Sequence, residues 1–477
     1  MRTSAIDKVF LAIWHQANKT TTQENFTPEL ISALATAKGL VVESIKVSDV
    51  GAFQTTKSIV LTVANGQACF PLTPILGDER WQQRRRHADH EADLFKKMDW
   101  FCPLWMAMGK VRELLRDVKT CNKERAVELL DYHTSTVYTL PFQAVCIEQL
   151  WPQSRSLMDF TPLGREAYLA FYSGHRASSI AALIPVIEGA LSRIVSSNDS
   201  KLSPYDKVNK VIDRAIHRAA RIHFEQMWTP NEYLTSSYLF GHDERVFVFE
   251  TFRNWLNGTF FQQTGEYNGT TGLNRHLFAH GISDFWQKPG NFQRLVVAIT
   301  TLGVIEAWQD ESSGISLFFP EMSEESKLLW EQAIFNMSAQ VMLKEISEKR
   351  YHEQGRLVPK LPTDDGVLHR QALLTTDCIN DLVRPMRNAG WNIEVAEPDE
   401  KALWITIVAH SEQRILKVAL LYSCATDNKL YKQLAETCDV ILYRGAPYHQ
   451  KQFAHGLQIH VGPVTAWQPP LAKTSHC

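Results

Sequence analysis

The segment Asn274–Gly281 reads Asn-Arg-His-Leu-Phe-Ala-His-Gly and places one guanidinium and two imidazoles within six positions. Arg275 is permanently cationic, and its planar fork of donors suits phosphate oxygens. Histidine titrates near neutral pH, where a proton donor or acceptor is most useful, and His276 and His280 supply two such groups. A phosphate-holding cation beside a proton-transfer group is the combination that metal-free RNA cleavage requires.

The residue types around this segment predict a short helix that begins at Arg275. Asn274 suits the position before a helix, because its side chain accepts hydrogen bonds from the first free backbone amides. Those amides carry partial positive charge and favour a phosphate. His276 and His280 are four residues apart and share a helical face, whereas Arg275 and His280 lie about 140° apart around an ideal helix. We therefore expect Arg275 and His280 to converge on one phosphate only through side-chain reach or a second copy of the chain.

Composition limits the class of protein. The 477 residues are 44% hydrophobic and 21% charged, which is typical of a globular chain with two to four domains. The formal net charge of −2 argues against a generally basic nucleic-acid binder, so any contact with nucleic acid must be a local patch. The eight cysteines contain no Cys-x-x-Cys pair and indicate free thiols in a reducing cytoplasm. The central apolar run 295–308 is too short to span a bilayer, so we expect a cytoplasmic protein without a membrane segment.

The chain divides by pattern into four regions. Residues 1–155 predict a mixed α/β N-terminal domain of unknown role, with β-branched strands over 40–64. Residues 156–350 carry apolar positions at helical spacing and predict a helical domain. Residues 351–368 contain two prolines and two glycines and predict a linker. Residues 369–477 alternate short strands with helices and predict a small α/β domain, so the fold class is mainly α and multidomain.

An arginine followed by a polar residue, three further residues and a histidine, late in a helical unit, resembles the signature of the HEPN superfamily (higher eukaryotes and prokaryotes nucleotide-binding). The form Asn-Arg-His-x-x-x-His-Gly is a recurrent variant in its bacterial members. An Ile-Pro-x-Ile-Glu-Gly helix lies upstream at 184–189, a loop precedes the motif, and a hydrophobic helix follows it. The resemblance covers about residues 165–310 and implies a HEPN-like helical bundle at the centre of the chain.

The resemblance also implies a function. HEPN proteins are all-helical, usually dimeric and often metal-independent endoribonucleases, and many act as toxins, antiphage effectors or RNA-processing enzymes. By position, Arg275 and His280 form the catalytic pair, His276 takes the polar position after the arginine, Asn274 orients the loop, and Glu188 matches an acidic residue on the upstream helix. The implied partners are RNA, a second copy of the chain and a regulatory partner or ligand. No cofactor and no metal are expected.

Three other interpretations of the motif remain open from the residues alone. Arg275 could pair with Glu188, with both histidines serving as helix-capping or core residues. The helical unit could bind RNA or nucleotides without cleaving them. His276 and His280 have the spacing of a zinc-binding pair, but no glutamate follows His276 and no third ligand is evident.

Charged residues outside the motif carry weaker signals. The run Arg84–Arg86, with His87 and His90 after it, predicts a solvated helical face rather than a phosphate-binding patch. In the C-terminal module, acidic residues and a lysine suggest a nuclease, but the Glu-x-Lys strand pattern is missing; these residues are Asp377, Asp381, Glu394, Asp399 and Lys417. Other polar residues lie near predicted strand ends, where ligand contacts are common, and favour an effector-sensing or partner-binding module; they are His410, Arg444 and His449.

Overall fold

Helices form most of the part of the chain that the structure describes, and two small sheets complete that part. The computed structural model describes residues 5–195, 199, 201–309, 319–354, 356–359, 361–363, 366–412, 414–424, 428–444 and 454–472. The chain separates into two compact units, Met1–Ala333 and Ile334–Cys477. The sequence-based prediction of a mainly α, multidomain protein is confirmed at this level.

The first unit contains most of the helices. Its helices are α1 (Ala5–Thr20), α2 (Pro28–Ala37), α3 (Glu79–Lys97), α4 (Met108–Val118), α5 (Lys123–Thr134), α6 (Leu140–Val145), α7 (Thr161–Tyr172), α8 (Arg176–Ile194), α9 (Pro204–His223), α10 (Ser236–Leu239), α11 (Glu244–Trp255), α12 (Arg275–Ala279) and α13 (Gly290–Ala307). Its sheet has the order β1 (Val42–Val50), β2 (Thr56–Val63), β3 (Gly66–Pro71), all antiparallel. The two strands predicted over 40–64 are therefore present as β1 and β2.

The sequence predicted a domain boundary at residue 155. In the structure, the N-terminal region and the central helices belong to one unit and share one hydrophobic core. Backbone hydrogen bonds between the edge of β3 and a later segment of the chain join the two regions. Cys69 N donates to the carbonyl of Trp228 at 2.7 Å, and Trp228 N donates to the carbonyl of Gln67 at 2.9 Å. Residues after α9 thus satisfy backbone groups of the N-terminal sheet, a pairing that no local sequence pattern encodes.

The helices around the motif pack on α13, which is buried over almost its whole length. A helix that is apolar on all sides belongs in a core. α8 packs along both α7 and α13. Among the described residues, α8 is also the one helix that is long and apolar enough to cross a bilayer. However, it carries Glu188 and an internal Pro185, and it is nearly half buried within the first unit. A core helix can have the same apolar character.

The second unit is the small α/β module, although the unit boundary falls inside α14 (Glu324–Glu353) rather than in the predicted linker 351–368. Its other helices are α15 (Val367–Asp377), α16 (Arg384–Asn388) and α17 (Asn428–Ala435). Its sheet has the order β4 (Asn392–Val395), β5 (Trp404–His410), β6 (Ile415–Leu421), β7 (Val440–Tyr443), β8 (His460–Pro463). The pairs β4–β5 and β5–β6 are antiparallel, and β6–β7 and β7–β8 are parallel. The alternation of short strands and helices predicted over 369–477 is present in this unit.

A buried histidine in the first unit makes its stability depend on pH. Arg84 Nη2 lies 2.8 Å from His242 Nε2, and an arginine can only donate, so Nε2 must accept. Nδ1 then carries the proton and faces the carbonyl oxygen of Tyr238 at 3.3 Å. Burial, and then the nearby Arg84 charge, lower the pKa of His242 to about 4. The folded unit therefore holds this imidazole neutral.

Acidification is expected to destabilise the first unit through His242. In the unfolded chain a histidine binds its proton near pH 6.5, whereas folded His242 resists protonation until about pH 4. The contribution of neutral His242 to the free energy of unfolding is thus complete above pH 6.5. It is lost as the pH falls toward 4, which lowers that free energy by about 2–3 kcal/mol. Urea denaturation between pH 7.5 and 4 should show this loss in the wild type and a shallower pH dependence in His242→Gln, which keeps an acceptor for Arg84. Parallel pH profiles for the two proteins would contradict the assignment.

Candidate functional site

Asn274 fixes the start of the motif helix, as the sequence predicted. Its side-chain oxygen accepts from the backbone amides of His276 at 3.0 Å and Leu277 at 2.9 Å. Its amide nitrogen donates to the carbonyls of Thr259 and Gln262, each at 2.8 Å. The side chain is almost fully buried, and two of the four hydrogen bonds, those with the Thr259 carbonyl and the Leu277 amide, are buried as well. Asn274 therefore begins α12 and also ties it to the preceding segment.

Gly281 fixes the end of the same helix. His280 is the last residue in helical conformation, and Gly281 follows it with φ +62°. The amide of Ile282 donates to the carbonyl of Leu277, and the amide of Gly281 donates to that of Phe278, each at 3.1 Å. These are the two bonds of a Schellman ending, which favours glycine because its backbone has positive φ. The His-Gly pair thus places His280 at an exposed helix end.

The loop before the motif is held by residues that are distant in sequence. The Asp99 carboxylate accepts from the amides of Thr270 and Thr271, and the Asn291 amide donates to the carbonyl of Thr271 at 2.7 Å. Gly272 has φ +73°, and a Cβ there would lie 2.5 Å from the Phe285 carbonyl carbon. Asp99 lies 171 positions before Thr270, so sequence analysis had no signal with which to find it.

Arg275 and Glu188 meet in the structure. Arg275 Nε donates to Glu188 Oε2 at 2.9 Å, and about one third of each side chain is exposed. Glu188 lies on α8, which a glycine at position 189 lets approach the Phe160 ring, because a Cβ there would lie 2.8 Å from the ring. Among the described residues, Glu188 is the one partner of the guanidinium, so both Nη groups remain available for another acceptor.

His276 and His280 lie on one face of α12, as their spacing predicted. Their ring centroids are 6.3 Å apart, and the ring planes differ by 12°. Burial lowers the pKa of His276, and the positive charge of Arg275 and the neighbouring His280 lower it further, against the opposing effect of Glu188. His276 is therefore neutral at physiological pH, a state in which an imidazole nitrogen can accept a hydrogen bond or a proton.

The five predicted site residues thus form two pairs of contacting side chains in one chain. Arg275 pairs with Glu188, His276 stacks parallel to His280, and Asn274 supports both by starting the helix. α12 has only five residues, so the motif covers little more than one turn. Arg275 and His280 occupy its opposite ends. The arrangement offers a guanidinium and two imidazoles to solvent on a firmly held turn.

The arginine run on α3 has a different arrangement from the motif. Arg85 pairs with Asp89 at 3.0 Å and His87 with Glu91 at 3.2 Å, both one turn apart, and Arg86 and His90 are exposed. These contacts agree with the solvated face that the sequence predicted. Arg84 differs, because it points inward to His242.

The structure brings together only some of the polar residues that the sequence singled out in the C-terminal module. Arg444 contacts the carboxylates of Asp377 and Asp381, and Asp377 also contacts His352 on α14. Although burial raises it, hydrogen bonds from His352 and Arg444 lower the pKa of Asp377 overall. Asp399 is not in this cluster and accepts from the amides of Leu403 and Trp404 before β5. His449 lies outside the described residues. Sequence analysis missed His352, since nothing marks it within a long charged helix.

Within the described ranges, no group of three or more His, Cys, Asp or Glu side chains is arranged to hold a metal ion, and the seven cysteines there are free thiols. The His276 and His280 rings therefore have no third protein ligand beside them in that part of the chain. Comparison with protein-family models finds none that matches this chain, and comparisons with curated proteins and with solved structures find no match either.

Proposed function

We propose that this protein is a metal-independent endoribonuclease of the HEPN type, acting as a regulated effector in toxin or antiphage systems in the cytoplasm. The observation that carries the proposal is the state of Arg275. Glu188 holds the guanidinium through Nε, while both Nη groups have no partner among the described residues. An arginine oriented by a carboxylate and open on its other edge is suited to bind a phosphate.

The proposed reaction uses the chemistry of RNA itself. The ribose 2′-OH attacks the adjacent phosphorus, the bond to the 5′ oxygen breaks, and the products carry a 2′,3′-cyclic phosphate and a 5′-hydroxyl. His280 carries the proton from the 2′-OH to the departing 5′ oxygen, and its exposure at the end of α12 lets RNA reach it. Arg275 stabilises the charge that develops on the non-bridging oxygens. Neutral His276 lies beside His280 and accepts a hydrogen bond from the substrate.

Arg275 and His280 lie at opposite ends of α12, and a second copy of the chain compensates for this separation. Facing motifs across a homodimer place the arginine of one chain near the histidine of the other. The proposal therefore includes dimerisation through the helical unit around α8 and α12, and RNA as the substrate bound between the two copies.

The Arg275–Glu188 contact also favours a second candidate function. An ion pair of this kind can stabilise the packing of α12 on α8 without any catalysis. In that case the helical unit is a non-catalytic RNA- or nucleotide-binding domain or a scaffold. The two candidates differ in whether RNA is cut.

Incubation of the purified full chain with total cellular RNA in excess EDTA tests the proposal. We expect internal cleavage with 2′,3′-cyclic phosphate and 5′-hydroxyl ends, because neither the attack nor the leaving group needs a metal ion. An oligonucleotide with a single 2′-deoxyribose at a mapped cleavage site should resist cutting there. Cleavage that EDTA abolishes, or that leaves 5′-phosphates, contradicts the mechanism. RNA binding without cleavage supports the second candidate.

A further inference from the structure

A positively charged pocket lies beside the second half of α9, within the first unit. Its volume is about 570 Å³. Arg214, His217, Arg218 and Arg221 line it, at spacings that place all four side chains on one helical face. Along the helix axis these residues extend about 10 Å. Three guanidiniums and an imidazole therefore face one cavity.

The charges in this pocket are only partly balanced by carboxylates. Arg218 and Arg221 form no ion pair with any described residue, and Arg214 reaches Asp199 only at 3.6 Å. Asp213 is the carboxylate in the described part of the wall, and Arg253 pairs with it at 2.7 Å. A net positive charge is left inside the cavity, which favours an anionic ligand.

The environment of Arg218 is a second observation that favours an anionic ligand in this pocket. Its Nη1 atom is buried and has no hydrogen-bond acceptor. A buried donor of a charged group without a partner is unfavourable, and an anion in the pocket would supply the acceptor. Burial, and then the charge of Arg221, lower the pKa of His217, which agrees with a positive potential at this position.

The backbone beside the pocket is strained. Glu225 and Gln226, directly after α9, have φ values of +54° and +63°, a region that side chains other than glycine rarely adopt. Two such residues in succession cost free energy, and strain of this kind is common at ligand sites. Gln226 lies in the pocket wall, and so does Gln309, which follows the end of α13 and donates its side-chain amide to the Val211 carbonyl at 2.9 Å.

We propose that this pocket binds a nucleoside polyphosphate, with Arg214, Arg218 and Arg221 on the phosphates. Guanidiniums match phosphate oxygens, and two side-chain amides offer donors and acceptors for a base or sugar. The volume lies in the range of small-molecule pockets. The site does not depend on the proposed RNA cleavage and is built from other residues.

Calorimetric titration of the full chain with ATP, GTP and inorganic tripolyphosphate at about 0.15 M salt tests the site, since that salt screens nonspecific surface attraction. The double variant Arg218→Gln with Arg221→Gln should bind the preferred nucleotide more weakly and raise its dissociation constant at least tenfold. Arg221 is exposed, so Arg221→Gln alone serves if the double variant does not fold. Arg80→Gln with Arg86→Gln removes the same charge from exposed positions on α3 and should leave the affinity unchanged.

The outcomes separate this site from the proposed nuclease. Nucleotide affinity that falls in the pocket variants but not in the α3 variants supports the site, whether or not the protein cuts RNA. Tripolyphosphate bound as tightly as ATP and GTP would overturn the nucleoside part. Affinity for single-stranded RNA that falls in the pocket variants, with no nucleotide bound, would overturn the site in favour of a strand-binding surface. No anion binding at all would also overturn it.

Discussion

The His280→Ala protein is expected to cleave RNA about 10²–10⁴-fold more slowly than the wild type, the usual contribution of a positioned proton-transfer group. His280 is exposed at the end of α12, and its ring makes no hydrogen bond or ion pair with the described residues, so its loss should leave the fold intact. Initial rates on a defined oligonucleotide, measured with enzyme in excess, give the ratio directly. Circular dichroism and the urea midpoint should match those of the wild type.

His90→Ala is the matched control for this prediction. His90 is also an exposed histidine on a helix of the first unit, but it lies on α3 and outside the motif. Its replacement should leave the cleavage rate within twofold. Equal activity in the His280→Ala and wild-type proteins would remove His280 from the reaction. It would also show that any observed cleavage comes from another site or a contaminant.

The start of the motif helix could be predicted from sequence because the interactions that set it are local. An asparagine before a helix satisfies amides two and three residues later, and the geometry of α12 follows that rule. The pairing of Arg275 with Glu188 was also anticipated, since a carboxylate on an apolar helix face needs a partner. The orientation of the loop was not, because its anchors Asp99 and Asn291 act across long sequence separations.

The fold shows the same division between local and distant interactions. Runs of β-branched residues predicted β1 and β2, and helical spacing predicted that residues 156–350 are mostly helical, as α8, α9 and α13 are. The merging of residues 1–155 with the central helices depends on the pairing of β3 with Trp228 and on a common core. The buried contact of Arg84 with His242 spans 158 positions and looked in the sequence like part of a solvated arginine run. Tertiary partners of this kind leave no periodic signal.

Asn274→Asp is expected to lower the free energy of unfolding of the first unit by about 2–5 kcal/mol, because one buried and one partly buried carbonyl group lose their donor. Asp keeps the acceptors that cap α12, so the helix start itself is preserved. The lost bonds are those from the side-chain amide to Thr259 and Gln262. A carboxylate would face both carbonyl oxygens at a position only 1% exposed, which adds repulsion to the desolvation of a charge. The same change should reduce RNA cleavage by displacing Arg275 and His280.

Asn122→Asp separates this effect from helix capping in general. Asn122 is the residue before α5, accepts from the amide of Arg125 at 2.9 Å and is exposed, so its amide nitrogen is free to contact water. An aspartate there keeps the capping bond and gains favourable interaction with the helix dipole, and urea denaturation should show a change within about 0.5 kcal/mol. Hydrogen exchange at the amides of His276 and Leu277 should accelerate in Asn274→Asp alone. Equal, small changes in both variants would mean that Asn274 acts only as a cap, and that the loop before the motif is held by Asp99 and Asn291 without it.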